Sequence, residues 1–211
     1  WNLRRTIREE GKPDLRGVEV LGGRYSVKVK TGNVEATGQL EVLEDPRFDV
    51  SLQDRLERLD ALGELNFLSS TLEMAQGMLS NSIDAVGSVL DTLRRDSPEE
   101  LTNEGLALEA LLKKNLEDLF TGPACQGSCS GTVPGNVVLG VLSRTLSTTM
   151  GALSPNEIVM LEKAREGVRE IVDQVNRVFS GSVLEYSDKL IDYGYSPFSG
   201  FGQIRIPEEV H

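Results

Sequence analysis

The chain has 211 residues, 39% of them hydrophobic, 26% charged and only 5% aromatic, enough to form one or two globular domains that bury roughly 70% of the unfolded surface. Twenty-two Lys plus Arg against 33 Asp plus Glu leave a formal charge of −11, which argues against partners such as nucleic acid or an anionic membrane surface, since both call for a basic face. No apolar run approaches the roughly 18 residues of a spanning helix, so no membrane insertion is expected, and the only His, His211, removes nearly all metal and acid–base chemistry that depends on imidazole.

The chain begins at Trp1 with neither Met nor a charged-then-apolar leader, the pattern of a processed or cut piece of something longer. Charge divides it: residues 1–50 hold nine basic and nine acidic residues, whereas 51–211 hold 13 and 24, so a domain boundary is expected near residue 47. The first part reads as β. Tyr25, Val27 and Val29 alternate with polar residues, Thr31-Gly32-Asn33 supplies a turn, and Ala36, Gly38, Leu40 and Val42 alternate again, which predicts a hairpin. Trp1-Asn2-Leu3 and Gly17-Val18-Glu19-Val20 are expected to add one short strand each, still too few for an immunoglobulin-like sandwich of about seven strands.

From Ser51 onward the chain reads as helical. Ser51 with Asp54 makes a capping-box variant, Ser97-Pro98-Glu99-Glu100 places Pro at the first helical position, and Ser154-Pro155-Asn156-Glu157 repeats that arrangement. Between Ser51 and Asp96 the residues Leu52, Leu56, Leu59, Leu62, Leu65, Leu68, Leu72, Ala75, Leu79, Ile83, Val86, Leu90 and Leu93 recur about every 3.4 residues, predicting one long helix, with Gly63, Gly77 and Gly87 as places for a bend. A second helix is predicted from Pro98 to about Phe120 on Leu101, Leu108, Leu112, Leu116 and Leu119, and a third on Val138, Val141, Leu142, Leu146 and Met150. The fourth begins after Ser154 and carries Ile158, Leu161, Ala164, Val168, Ile171, Val175, Phe179, Val183, Tyr186 and Leu190. It is weakened only at Ser180-Gly181-Ser182 and stops near Gly194. The expected fold class is therefore α+β, mainly α. It comprises a partial immunoglobulin-like β segment over 1–47, an up-down four-helix bundle with long first and last helices over 48–194, and an aromatic tail over 195–211 returning to the β segment.

The candidate chemistries are few. Cys125 and Cys129, four positions apart in a Gly/Ser loop, are close enough to bridge, and a disulfide would imply an extracytoplasmic location; a redox dithiol or a pair of free thiols are the other readings. Zinc would lack two ligands. Gly127-Ser128-Cys129-Ser130-Gly131 matches the nucleophile-elbow spacing without the strand–turn–helix setting or a His base. A di-iron carboxylate site would need His on the helices, where there is none. Glu162, Glu166 and Glu170, interleaved with Arg165 and Arg169, read as a solvated, salt-bridged helix face rather than as paired catalytic carboxylates. Tyr193, Tyr195, Phe198 and Phe201 cluster in the tail, either plugging the junction of the last helix with the hairpin or forming an exposed platform for sugar or a partner chain. Gln203-Ile204-Arg205-Ile206 reads as an added edge strand, and His211 as native or the start of a tag. No catalytic residue, metal or cofactor is expected.

Trp1-Asn2-Leu3-Arg4, Gly23-Arg24-Tyr25-Ser26-Val27-Lys28-Val29 and Leu40-Glu41-Val42-Leu43-Glu44-Asp45-Pro46-Arg47, followed by a long amphipathic helix, resemble the C-terminal region of large secreted bacterial sortilin-like proteins with BNR-repeat β-propellers, many of them glycosyl-hydrolase-like. The resemblance implies that 1–47 is the end of an immunoglobulin-like segment. It also implies that the chain is a non-catalytic accessory module, secreted or exposed at the cell envelope, and that the ligand-binding or hydrolytic propeller lies upstream. The partner so implied is that β-propeller, and the helices are expected to mediate either intrachain docking or assembly into a homo-oligomer. The competing expectation is an ancillary part of a polysaccharide-acting glycoside hydrolase, with the aromatic tail touching sugar.

Overall fold

The computed structural model describes residues 3–5, 17–93, 98–121, 135–149, 151–195 and 204. The protein is mainly helical, with one small antiparallel sheet. Its elements are β1 (Gly23–Thr31), β2 (Val34–Val42), α1 (Leu52–Leu93), α2 (Glu99–Leu116), α3 (Gly135–Thr148), α4 (Pro155–Val178) and α5 (Leu184–Asp192). A π-helical turn, Glu117–Thr121, follows α2, and another, Phe179–Val183, joins α4 to α5. The chain divides into two compact units, Trp1–Phe67 with Ser143–Ile158, and Leu68–Leu142 with Val159–His211.

The hairpin forms where alternation predicts it. Gly32 opens the two-residue connection at φ +59, the left-handed conformation that a type II′ turn demands of its first central residue and that glycine adopts without a Cβ penalty. The register pairs Tyr25 with Leu40, Val27 with Gly38 and Val29 with Ala36. The two upstream segments do not extend this sheet. Residues 3–5 and 17–20 pair with each other through a single antiparallel bridge, Arg4 with Glu19, held by Arg5 N–H to Val18 O (3.0 Å) and Val20 N–H to Leu3 O (2.8 Å).

Helix α1 is continuous through Gly63, Gly77 and Gly87. Ser51 caps it: the Asp54 N–H donates to Ser51 Oγ (3.1 Å) while the Ser51 hydroxyl donates to Asp54 Oδ2 (2.7 Å). Eleven of its buried residues, Arg58, Ala61, Leu65, Leu68, Leu72, Ala75, Leu79, Ser82, Val86, Val89 and Leu93, alternate steps of three and four, a heptad seam of period 3.5, with Gly63, Thr71 and Leu90 buried beside it. The predicted period and its C-terminal end at Leu90 and Leu93 are right and its N-terminal end is not, because Leu52 and Leu56 are 63% and 39% exposed and the seam starts instead at Arg58 and Ala61. Helix α2 repeats the pattern with Leu101, Gly105, Leu108, Leu112 and Asn115, so that Leu116 and Leu119 are only half-buried. Pro98 occupies its N-cap rather than the first helical position.

Helix α4 starts at Pro155 with a reciprocal capping box: the Ser154 N–H donates to Glu157 Oε2 (2.8 Å) and the Glu157 N–H to Ser154 Oγ (3.3 Å). Its seam of Ala164, Val168, Ile171 and Val175 resumes at Val183, the last residue of the π-helical turn, and runs on through Tyr186 and Leu190, one residue later than strict alternation allows. An i→i+5 turn holds one residue more than an α-turn, and Ser180-Gly181-Ser182, the predicted weak point, is where it is inserted. Two predicted seam residues face outward, Val141 at 54% and Ile158 at 45% exposure. The helix ends as predicted near Gly194, whose φ of +83 completes a Schellman motif with Tyr195 N–H to Leu190 O (2.8 Å) and Gly194 N–H to Ile191 O (2.9 Å).

Candidate functional site

The β1–β2 register sorts the hairpin into two unlike faces. Residues directly opposite share a face, so Tyr25, Val27, Val29, Val34, Ala36, Gly38, Leu40 and Val42 lie on one, and Arg24, Ser26, Lys28, Lys30, Glu35, Thr37, Gln39 and Glu41 on the other. The polar face mixes both signs of charge and holds one ion pair, with Lys28 Nζ 2.5 Å from Glu35 Oε1. The apolar face is only half-covered at its base, where Tyr25, Leu40 and Val42 are partly buried. Toward the turn it is open, with Val27, Val29 and Val34 at 37%, 59% and 72% exposure.

Glu44 ties the base of the hairpin to the start of α1. Its carboxylate accepts from the Gly22 N–H (2.8 Å) and pairs with Arg55, whose Nε–H donates to Val50 O (3.2 Å). An added Cβ at position 22 would lie 2.5 Å from Glu44 Oε1, so a larger residue there would make the flexible Glu44 side chain move away from the Gly22 N–H.

In the same unit Arg58 is buried at the centre of a polar cluster. Its guanidinium donates to Gly151 O (2.9 Å), Leu146 O (3.3 Å), Thr149 Oγ1 (2.7 Å), Ala152 O (3.0 Å) and both oxygens of Glu157 (3.2 and 3.4 Å). Burial pushes the Glu157 carboxyl up, but the Arg58 guanidinium, the Ser154 N–H and hydroxyl and the Thr149 hydroxyl outweigh it and hold the pKa down at about 2. Every group here has its partners within the cluster. It fixes the α3–α4 connection and offers no free base or nucleophile.

The second unit has a shallow cleft of about 280 Å³ lined by Glu104, Leu108, Leu111, Ser182, Tyr186 and Lys189. Lys189 is ion-paired with Glu104, which raises its pKa, and the buried Tyr186 hydroxyl donates to Leu101 O (3.3 Å) with its own pKa raised by burial and then by Glu104. A phenol held protonated and an ammonium held charged are neither bases nor nucleophiles at neutral pH. Elsewhere in this unit the Asn176 side-chain amide grips the backbone of Ile204: its Nδ2–H donates to Ile204 O (3.0 Å) and its Oδ1 accepts from Ile204 N–H (3.1 Å).

Of the residues nominated from sequence, Tyr193 is 55% exposed and Tyr195 half-buried, on either side of Gly194. Phe198, Phe201, Cys125 and Cys129 lie outside the described residues, as does the motif Gly127–Gly131. Ile204, described alone from its predicted strand, is not in one. Glu162, Glu166 and Glu170 are all exposed along α4, and no metal-binding group of His, Cys, Asp and Glu occurs among the described residues. Among those residues no helix is long and apolar enough to cross a membrane. Sequence reasoning missed Arg58, Glu44 and Asn176, because their roles rest on partners up to 99 positions away, as between Arg58 and Glu157. Comparison with family models, with curated proteins and with solved structures finds no match to this chain.

Proposed function

We propose that this chain is a non-catalytic accessory module, the C-terminal part of a secreted sortilin-like β-propeller protein, acting by packing and protein association. The observation that carries the reading is the uncovered apolar face of the hairpin, where Val27, Val29 and Val34 stand open on the side opposite the charged residues. A two-stranded ribbon is marginal in water and gains stability when its apolar face is covered by further strands. The occupant in this reading is the remainder of an immunoglobulin-like sheet from the preceding part of the parent chain, packed aligned on this face. The helices in this reading form an up-down bundle, favoured by the short α3–α4 connection that Arg58 locks.

The test supplies the preceding segment of the parent chain in trans and measures binding by calorimetry. Binding that falls at least tenfold in the Val29→Lys, Val34→Lys double variant, with the helical circular-dichroism signal unchanged, supports the reading. No binding, or binding indifferent to the substitutions, overturns it. A strictly monomeric mass by light scattering at high concentration would remove self-association from the account. A secreted location further predicts that Cys125 and Cys129 are bridged, so intact mass should rise by two alkyl adducts only after reduction.

A further inference from the structure

The two-residue connection Gly32-Asn33 fixes which way the backbone of each hairpin residue points. Thr31 and Val34, which flank it, form a hydrogen-bonded pair, and such pairs recur at every second position, Val29 with Ala36, Val27 with Gly38, Tyr25 with Leu40 and Gly23 with Val42. The N–H and C=O groups of Arg24, Ser26, Lys28 and Lys30 therefore point away from β2, along the outer edge of β1. Among the described residues no strand takes up that edge, and all four of these residues are exposed. Proteins commonly close an exposed edge by keeping it short, by proline or by a bulge. Strand β1 has none of these, since it runs for nine residues without proline and in unbroken register.

Charge guards this edge instead, and charge of one sign excludes some strands while admitting others. On the polar face of the hairpin β1 contributes three basic residues, Arg24, Lys28 and Lys30, and no acidic one, whereas β2 contributes Glu35 and Glu41 and no basic one. Like charges directly opposite on neighbouring strands destabilise a pairing and opposite charges favour it. A second basic strand is thus repelled from this edge, β1 of another copy included, and a strand with acidic residues on the same face is drawn to it. Strand β2 displays the pattern that fits β1: it sets Glu41 opposite Arg24 and Glu35 opposite Lys30, with apolar residues on the other face, and Glu35 also pairs with Lys28 (2.5 Å).

We propose that the outer edge of β1 is a docking site for an extended strand of a separate protein, one that alternates apolar with acidic residues. Main-chain hydrogen bonds to Arg24, Ser26, Lys28 and Lys30 hold the added strand, and acidic residues set opposite Arg24 and Lys30 select it. Its apolar side chains lie beside Val27 and Val29 and widen the apolar face. The inference rests on the function proposed above only in taking the hairpin as an incomplete sheet; there a face is covered, here an edge is extended.

The probe is a capped, fluorescently labelled peptide with the sequence of residues 34–42, titrated by anisotropy into the full chain. It should bind, and the same peptide carrying Glu35→Lys and Glu41→Lys should bind at least tenfold more weakly. In the chain, Ser26→Pro removes one outward N–H and leaves the inward ladder intact, so it should also weaken binding at least tenfold. No binding, equal binding of the two peptides, or indifference to Ser26→Pro overturns the proposal, and none of these results touches the calorimetric test of the apolar face. If Ser26→Pro disturbs the hairpin, the unaltered chain decides the matter by hydrogen exchange. Saturating unlabelled peptide should slow exchange of the Arg24, Ser26, Lys28 and Lys30 amides severalfold, and unchanged rates overturn the site. Concentration-dependent association of the full chain that Ser26→Pro abolishes would put β2 of a second copy at this edge and overturn the assignment to a separate protein.

Discussion

Arg58 and Ser82 both stand in the heptad seam of α1, but only Arg58 has its hydrogen-bonding capacity met. For Arg58 and Glu157, with side chains 10% and 7% exposed, removing one partner leaves an uncompensated buried charge and costs about 3–5 kcal/mol. Because the Glu157 pKa is depressed from 4.5 to about 2, its contribution is fully present above pH 4.5 and is lost as pH falls toward 2; the shift corresponds to about 3 kcal/mol. Urea unfolding of the parent and Glu157→Gln proteins should therefore show a stability gap that is widest above pH 5 and closes by pH 2. A gap that did not vary with pH would place the effect in packing rather than charge. The Ser82 hydroxyl has no partner and is fully buried, so Ser82→Ala should raise stability by about 1 kcal/mol in the same assay, through relief of desolvation and better helix propensity. A loss instead would mean that the hydroxyl is bonded.

Among the elements, α1 makes the distinction between an apolar residue and a buried one measurable. Leu52 and Leu79 are both leucines of the predicted stripe, yet one is 63% exposed and the other fully buried. Leu79→Ala should cost about 2–5 kcal/mol, whereas Leu52→Ala should stay within about 0.5 kcal/mol. Similar costs at both sites would show that the seam begins at the helix N-terminus after all. Helix α2 carries a second such contrast. Gly105 lies where an added Cβ would sit 2.8 Å from Leu90 Cδ2 and 3.0 Å from Tyr186 Cζ, so the small residue lets these side chains approach and Gly105→Ala should lower the melting temperature despite its better helix propensity.

At the scale of the whole molecule, stability is unevenly distributed. The α1 seam is dry along its length, while Val29 and Val34 forfeit most of the roughly 1.5–3 kcal/mol that burying each side chain would yield. Native-state hydrogen exchange should find the paired amides of β1 and β2 opening orders of magnitude faster than those of α1 between Leu65 and Val89. Hairpin amides as protected as that helix would mean that its apolar face is covered in solution.

Much of this was readable in the sequence because it depends on neighbours in the chain. The hairpin and its turn follow from period-two alternation around Gly32, the starts of α1 and α4 from Ser51 and Ser154, the end of α5 from Gly194, and the 3.5-residue period of α1 from its leucines. The buried faces were largely readable as well, since Leu65, Leu79, Leu108, Leu112, Val168 and Leu190 stand in the predicted stripes and are buried, and tertiary structure decided where each stripe begins and which other residues complete it. Apolar patterning counts leucines, and so it passed over Arg58, Ser82, Gly105 and Asn115, which hold seam positions by being paired, small or enclosed rather than hydrophobic. The Arg58 cluster, the Glu44 tie and the Asn176 grip on Ile204 were equally hidden. A hydrogen bond is set by distance in space, and the 93 positions that separate Arg58 from Gly151 carry no local trace of it.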